Sequence, residues 1–148
     1  MNFEPIHTGH ALTNSIITQL FAGFCDLSLP KAHWTHEAHL IGALCLIRDF
    51  GVTEAETKMP DMIRAFNIAK GGVNTDTEGY HETLTVFYLR ILAKFYVNNM
   101  HMPFSRLCEA TISADIGERQ YPLNYYSKDV LFSIKARKHW VEPDIMPL

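Results

Sequence analysis

A chain of 148 residues that is 47% hydrophobic and 20% charged can bury one sizeable core and is too short for two, so residues 1–148 read as a single globular domain. The formal net charge of −3, with no long basic run, argues against sequence-independent nucleic-acid binding, which needs Lys and Arg massed on one face. Met1 to His10 has no basic stretch leading into an apolar one, and the longest apolar run, Leu40 to Ile47, is too short to span a bilayer, so a cytoplasmic protein without membrane contact is expected.

The hydrophobic period is helical almost throughout, with no sustained alternation of period two, which predicts an all-α fold. A first helix is expected from about Ala11 to Asp26, with Ile16, Ile17, Leu20, Phe21 and Phe24 on one stripe, ended by Leu27-Ser28-Leu29-Pro30. Thr35 is placed to cap a second helix, which carries Leu40, Ala43, Leu44, Ile47 and Phe50 inward and stops at Gly51. A third opens on the capping box Thr53-x-x-Glu56, is kinked or split by Pro60, and closes at Gly71-Gly72. The fourth, the longest and most apolar, should run from near Gly79 to about Asn98, with Pro103 beyond its end. Two shorter helices follow, Phe104 to about Ala114 and about Lys128 to Arg137, the latter capped by Ser127. The short connections favour antiparallel neighbours, hence a four-helix up-down-up-down bundle with additional short C-terminal helices. Cys25, Cys45 and Cys108 lie far apart in apolar surroundings without C-x-x-C spacing, which predicts buried free thiols in place of disulfides or a cysteine zinc site.

Three of the eight histidines fall within His33-Trp34-Thr35-His36-Glu37-Ala38-His39. His36 and His39 are spaced i, i+3 and extend the stripe that continues through Ala43, Ile47 and Phe50, so both imidazoles should point coreward near the start of the second helix. His81 begins an equivalent stripe, 81, 84, 88, 91 and 95, on the fourth. In an up-down-up-down bundle those two helices are parallel, and His36, His39 and His81 converge at one end. His33 lies before the cap and is expected to face solvent. Trp34 is either a hydrophobic staple or a surface on which a ligand stacks. The polar connection Gly72 to Glu78 could roof the site. Arg90 should snorkel or pair with an acid, Arg137 is a helix C-terminal charge or an anion clamp, and the tail could fold over the bundle on Trp140.

Several familiar sites do not fit these spacings. Glu78 and His81 form a Glu-x-x-His pair like that of di-iron bundles, but no second copy occurs. His36-Glu37-Ala38-His39 is one residue short of the metalloprotease H-E-x-x-H signature, and neither a G-x-x-x-x-G-K-[ST] loop nor a G-x-S-x-G elbow is present.

The strings Trp34-Thr35-His36-x-Ala38-His39-Leu40, Asn74-Thr75-x-Thr77-x-Gly79-Tyr80-His81-Glu82-Thr83 and Ala136-Arg137-x-x-Trp140 resemble those of a group of small, functionally uncharacterised bacterial proteins, over about residues 33 to 144. That resemblance implies a coherent domain of bacterial origin and no catalytic assignment. A fainter similarity is to the DNA-damage-inducible helical bundles, which hold a metal with three histidines. Those proteins carry an H-x-x-x-H pair on a late helix, absent here, so only the combination of a bundle with three histidines carries over.

Three functions are compatible with this reading. The first is a mononuclear divalent metal ion (Zn, Ni or Fe) held by His36, His39 and His81, with an open position for water or an unknown small-molecule substrate and Glu37 or Glu82 as general base. The second is a metal-free site for a small anionic metabolite, because two helix N-termini aimed at one spot favour anions. The third is a structural or interaction protein whose histidines are satisfied core groups, with homo-oligomerisation possible through apolar faces of the later helices.

Overall fold

The computed structural model describes residues 3–7, 9 and 11–148; the reading of Met1 to His10 as free of a leader therefore falls partly outside the described residues. Among the described residues seven α-helices occur, α1 (Asn14–Cys25), α2 (His36–Phe50), α3 (Val52–Ala69), α4 (Glu82–Asn98), α5 (Phe104–Ser113), α6 (Lys128–Leu131) and α7 (Ile134–Lys138). No strand is present among the described residues, as the helical period requires. Short 3-10 turns at Lys31–His33, Asp115–Gly117 and Tyr121–Asn124 fill connections that carry no periodic signal.

The helix starts follow local capping chemistry. Thr13 accepts from the Ile16 amide at 3.1 Å and sets the start of α1 three residues later than the apolar stripe suggests. Thr35 caps α2 as expected, accepting from the Ala38 amide at 3.1 Å, while its hydroxyl donates to the Ile6 carbonyl at 2.9 Å and ties the N-terminal segment to the helix. Helix α2 is buried on nearly all sides from Ala38 to Ile47 because α1, α3, α4 and α5 all pack around it.

A single residue, Gly51 at φ +82°, joins α2 to α3, so the backbone is already helical at Val52. The Thr53–Glu56 capping box therefore does not form. Glu56 instead takes a hydrogen bond from the Arg90 guanidinium on α4 at 2.8 Å, which resolves Arg90 as a paired cation. Helix α3 also continues through Pro60 without splitting. Proline removes the amide bond to the carbonyl four residues back, but Met59, Pro60 and Ile63 are buried, and their packing holds the helix together.

The segment expected as one C-terminal helix breaks in two, because Ser133 supplies a second cap, accepting from the Ala136 amide at 3.1 Å just as Ser127 caps α6. Beyond α7 the tail turns back over α4. The Thr83 hydroxyl donates to the His139 carbonyl and accepts from the Val141 amide, and Trp140 packs edge-on to Tyr126 beneath the Arg90 guanidinium. Cys45 and Cys108 are buried, and burial raises the Cys45 thiol to about 12. Cys25 is exposed, contrary to expectation, because it follows the core-facing Phe24 by one residue and so lies about 100° around the helix.

Candidate functional site

A cavity of about 420 Å³ opens between the first turns of α2 and α4 and the second half of α3. His36, His39 and His81 all line it, so the three histidines do meet at one place. They do not form a ligand set. His81 lies one residue before α4 and is its N-cap. Its Nδ1 accepts from the Leu84 amide at 3.1 Å, and its Nε2 donates to the Leu131 carbonyl at 2.8 Å. Both ring nitrogens are committed, leaving no lone pair for a metal. Among the described residues no group of three or more His, Cys, Asp or Glu side chains is placed to hold an ion. The zinc, nickel or iron centre expected on His36, His39 and His81 does not fit these residues as arranged.

The other two imidazoles are each oriented by one backbone carbonyl. Nε2 of His36 donates to Gly117 at 3.1 Å, and Nδ1 of His39 donates to Thr35 at 2.7 Å. Each ring is thereby fixed in one tautomer, with His36 Nδ1 and His39 Nε2 left as acceptors without a partner among the described residues. Burial lowers the pKa of all three rings, that of His39 to about 4 even though the Thr35 carbonyl favours its charged form. Protein surrounds His39, and its remaining exposed surface belongs to the cavity wall. At neutral pH the site thus presents uncharged imidazoles.

Neither expected general base reaches the cavity wall. Glu82 accepts from the Tyr80 hydroxyl at 2.5 Å, under an Arg64 guanidinium stacked 4.2 Å over the Tyr80 ring, and Glu37 is likewise off the lining. The Gly72 to Glu78 connection does not roof the site either. Gly72, Val73 and Glu78 line a neighbouring cavity of about 320 Å³, with Trp34, Asn67 and Gly79 as the shared partition. The connection is latched to α3 by Asn74, whose Oδ1 accepts from Asn67 Nδ2 and from the Tyr80 amide, and whose Nδ2 donates to the Arg64 carbonyl.

Trp34 is sandwiched, with Phe24 stacked at 4.2 Å on one side and His39 at 3.9 Å on the other. Because His39 is the fourth residue of α2, this is staple geometry, and the occupied ring faces leave no surface for a stacked ligand. His33 is half-buried edge-on to Phe3 at 5.1 Å and does not face solvent freely. Arg137 donates to the Gly79 and Tyr80 carbonyls, so it clamps the chain that enters α4.

The sequence pattern marks Trp34 as a staple or stacking surface and Tyr88 as a member of the stripe that begins at His81, but does not single out Arg119. Arg119 stands at the cavity rim in the turn after α5, where no periodic stripe marks it. Trp34 Nε1 and Tyr88 Oη are shielded from solvent and have no hydrogen-bond partner among the described residues, although both rings form part of the wall. Burial pushes the Tyr88 hydroxyl up, so it stays protonated and remains a donor, with Arg119 pulling weakly the other way.

No protein-family model matches the chain, and no curated protein or solved structure does so either. No helix among the described residues is long and apolar enough to cross a membrane.

Proposed function

We propose that the protein is a metal-free binder of a small organic anion, held in the cavity between α2, α3 and α4. The observation that carries this reading is the isolation of Arg119. Five of the six arginines are engaged: Arg48 with Asp49, Arg64 with Asp61, Arg90 with Glu56, Arg106 with Glu109, and Arg137 with two carbonyls. Arg119, on the cavity rim, has no carboxylate or carbonyl partner among the described residues. A guanidinium presents a fork of donors that matches a carboxylate or phosphate.

The volume supports the same reading, since it lies in the range of small-molecule sites, about 300–1,000 Å³. An up-down-up-down course of α1 to α4 belongs to this proposal, since it puts the starts of α2 and α4 beside the end of α3, the three walls the cavity has.

Thermal unfolding of the purified, untagged chain separates the readings. Carboxylates and phosphates should raise the melting temperature, by a stabilisation of roughly 2.7 kcal/mol at a hundredfold excess over Kd, and Arg119→Gln should remove the shift. A shift with zinc, nickel or iron salts and none with anions would overturn the proposal in favour of a metal site. Silence with both would leave the structural reading.

A further inference from the structure

We infer that the anion is hydroxylated: its charged group pairs with Arg119, and a neutral hydroxyl elsewhere on the molecule donates to Nε2 of His39. The inference rests on the reading of the cavity as an anion site and adds what the rest of the ligand must offer.

A polar atom recognises a ligand only if the fold has left it both unpaired and open. Tyr88 Oη and Trp34 Nε1 are closed off, and both nitrogens of His81 are spent. The hydroxyls on the wall are spent as well: Thr35 on Ile6 and Ala38, Tyr80 on Glu82, and Thr85 on the His81 carbonyl. Besides Arg119, three side-chain atoms meet both conditions among the described residues: His39 Nε2, His36 Nδ1 and Asn67 Oδ1. The Asn67 amide is oriented by its neighbour. Asn74 Oδ1 already accepts from the Tyr80 amide, so Asn67 must turn its NH₂ toward it and its oxygen away.

All three atoms are acceptors. Protein encloses His39 except where it meets the cavity, and its N–H is committed to the Thr35 carbonyl, so the nitrogen left for a ligand can only accept. Its pKa near 4 keeps it so at neutral pH. His36 stands one turn before it on α2 and is tied to the carbonyl of Gly117, two residues from Arg119, so one turn of chain holds both the cation and a second acceptor. Apart from the guanidinium, the open polar wall therefore calls for hydrogen-bond donors. A bare carboxylate has none, and would leave His39 Nε2 cut off from water and unpaired, the situation in which a site discriminates against an analogue lacking a hydroxyl.

Charge selects hydroxyl over ammonium as that donor. No Asp or Glu side chain lines the cavity among the described residues, and its one fixed charge is already positive. An ammonium group would enter without a counter-ion, whereas a hydroxyl donates the same bond and adds no charge.

The test is calorimetric titration of the full chain with matched pairs. Butanoate is compared with 2-, 3- and 4-hydroxybutanoate, and propyl phosphate with glycerol 1-phosphate, so that carboxylate and phosphate head groups are read separately. 3-Aminobutanoate and butane-1,3-diol serve as controls. In at least one pair the hydroxylated member should bind about fivefold or more tightly, the worth of one hydrogen bond. 3-Aminobutanoate and the diol should bind more weakly than 3-hydroxybutanoate. His39→Phe keeps a ring against Trp34 without the acceptor and should abolish the preference for hydroxyl, whereas Arg119→Gln should weaken every anion and leave that preference in place. Equal binding within every pair would overturn the inference while the anion site stood, and this comparison needs only the wild-type chain. Tighter binding of 3-aminobutanoate would overturn the choice of a neutral donor, and a preference that survived in folded His39→Phe would overturn the role of His39. If no anion bound, or the diol bound as tightly as 3-hydroxybutanoate, the anion reading itself would fall, a different result from the others.

Discussion

Two regions that share the cavity wall treat their polar groups in opposite ways. At the corner leading into α4, every polar side chain that shapes the backbone is paired: Asn74 makes three hydrogen bonds, Tyr80 donates to Glu82, His81 uses both nitrogens, and Arg137 binds two carbonyls. Across the cavity, Trp34 Nε1 and Tyr88 Oη are buried and, among the described residues, unpaired; there too His36 and His39 each keep one acceptor unused, and Arg119 has no acid. Buried polar groups in folded proteins are nearly all satisfied, so the first region reads as scaffold, while under the proposed function the second is a site whose missing partners come from outside the chain. Histidine occurs in both, and its role is set by how many of its nitrogens the fold consumes.

The contrast is broken most severely at Gly79. Its φ of +80° is one that side chains rarely adopt, and an added Cβ would lie 2.0 Å from the Val73 carbonyl oxygen. Gly79→Ala should therefore cost at least ~3 kcal/mol, read as a fall in the denaturation midpoint, because the backbone oxygen cannot move without dragging the Asn74 latch with it. A loss below about 1 kcal/mol would show that the corner is not the rigid element described.

Acid tests the other side. His39 has a pKa near 4 in the fold against its ordinary 6.5, so the unfolded chain binds the proton more readily than the native one. Stability is then fully present above about pH 6.5 and is lost as the pH falls toward 4, by about 3 kcal/mol from this group. The lowered pKa values of His36 and His81 act in the same direction. Chemical denaturation at pH 7 and pH 4.5 measures the difference, and His39→Gln should flatten it. A wild-type protein equally stable at both values would contradict a neutral, buried His39.

A smaller effect is expected at His81. Alanine there removes the cap on Leu84 and leaves the Leu131 carbonyl without its donor, a loss of about 2 kcal/mol. His81→Asn can keep the cap and should lose about half as much. Anion binding should survive in both variants if His81 is scaffold, and its disappearance from folded His81→Asn would move that residue into the site.

Much of this was legible where local chemistry decides. Thr35, Gly51 and Ser127 bound helices at the positions their side chains predict, since a hydroxyl at an N-cap or a glycine at positive φ acts within a few residues. The convergence of His36, His39 and His81 was legible too, from the helical period and the expected order of helices. What failed depended on partners far along the chain. His81 reads as the first core residue of a helix because imidazole is an uncommon cap, and only the Leu131 carbonyl, fifty residues away, shows that its second nitrogen is spent. Glu56 left its capping box for Arg90, and Pro60 stayed inside α3 because the packing around it outweighs one missing amide bond. Arg119 carries no signal in sequence, since its meaning comes from the absence of an acid that folding could have supplied.

The gentlest change gives the sharpest reading of the cavity. Tyr88→Phe deletes one oxygen, a buried hydroxyl with no partner, and leaves the ring that packs edge-on to His36 at 5.7 Å and to Phe87 at 5.4 Å. In a region built only for stability such a deletion is close to neutral or harmful. Here it should stabilise the ligand-free protein by about 1 kcal/mol, because it removes the desolvation penalty of an unpaired donor without opening a void. Denaturation of the free protein measures the gain. A destabilised Tyr88→Phe would show that the hydroxyl is satisfied in the folded protein.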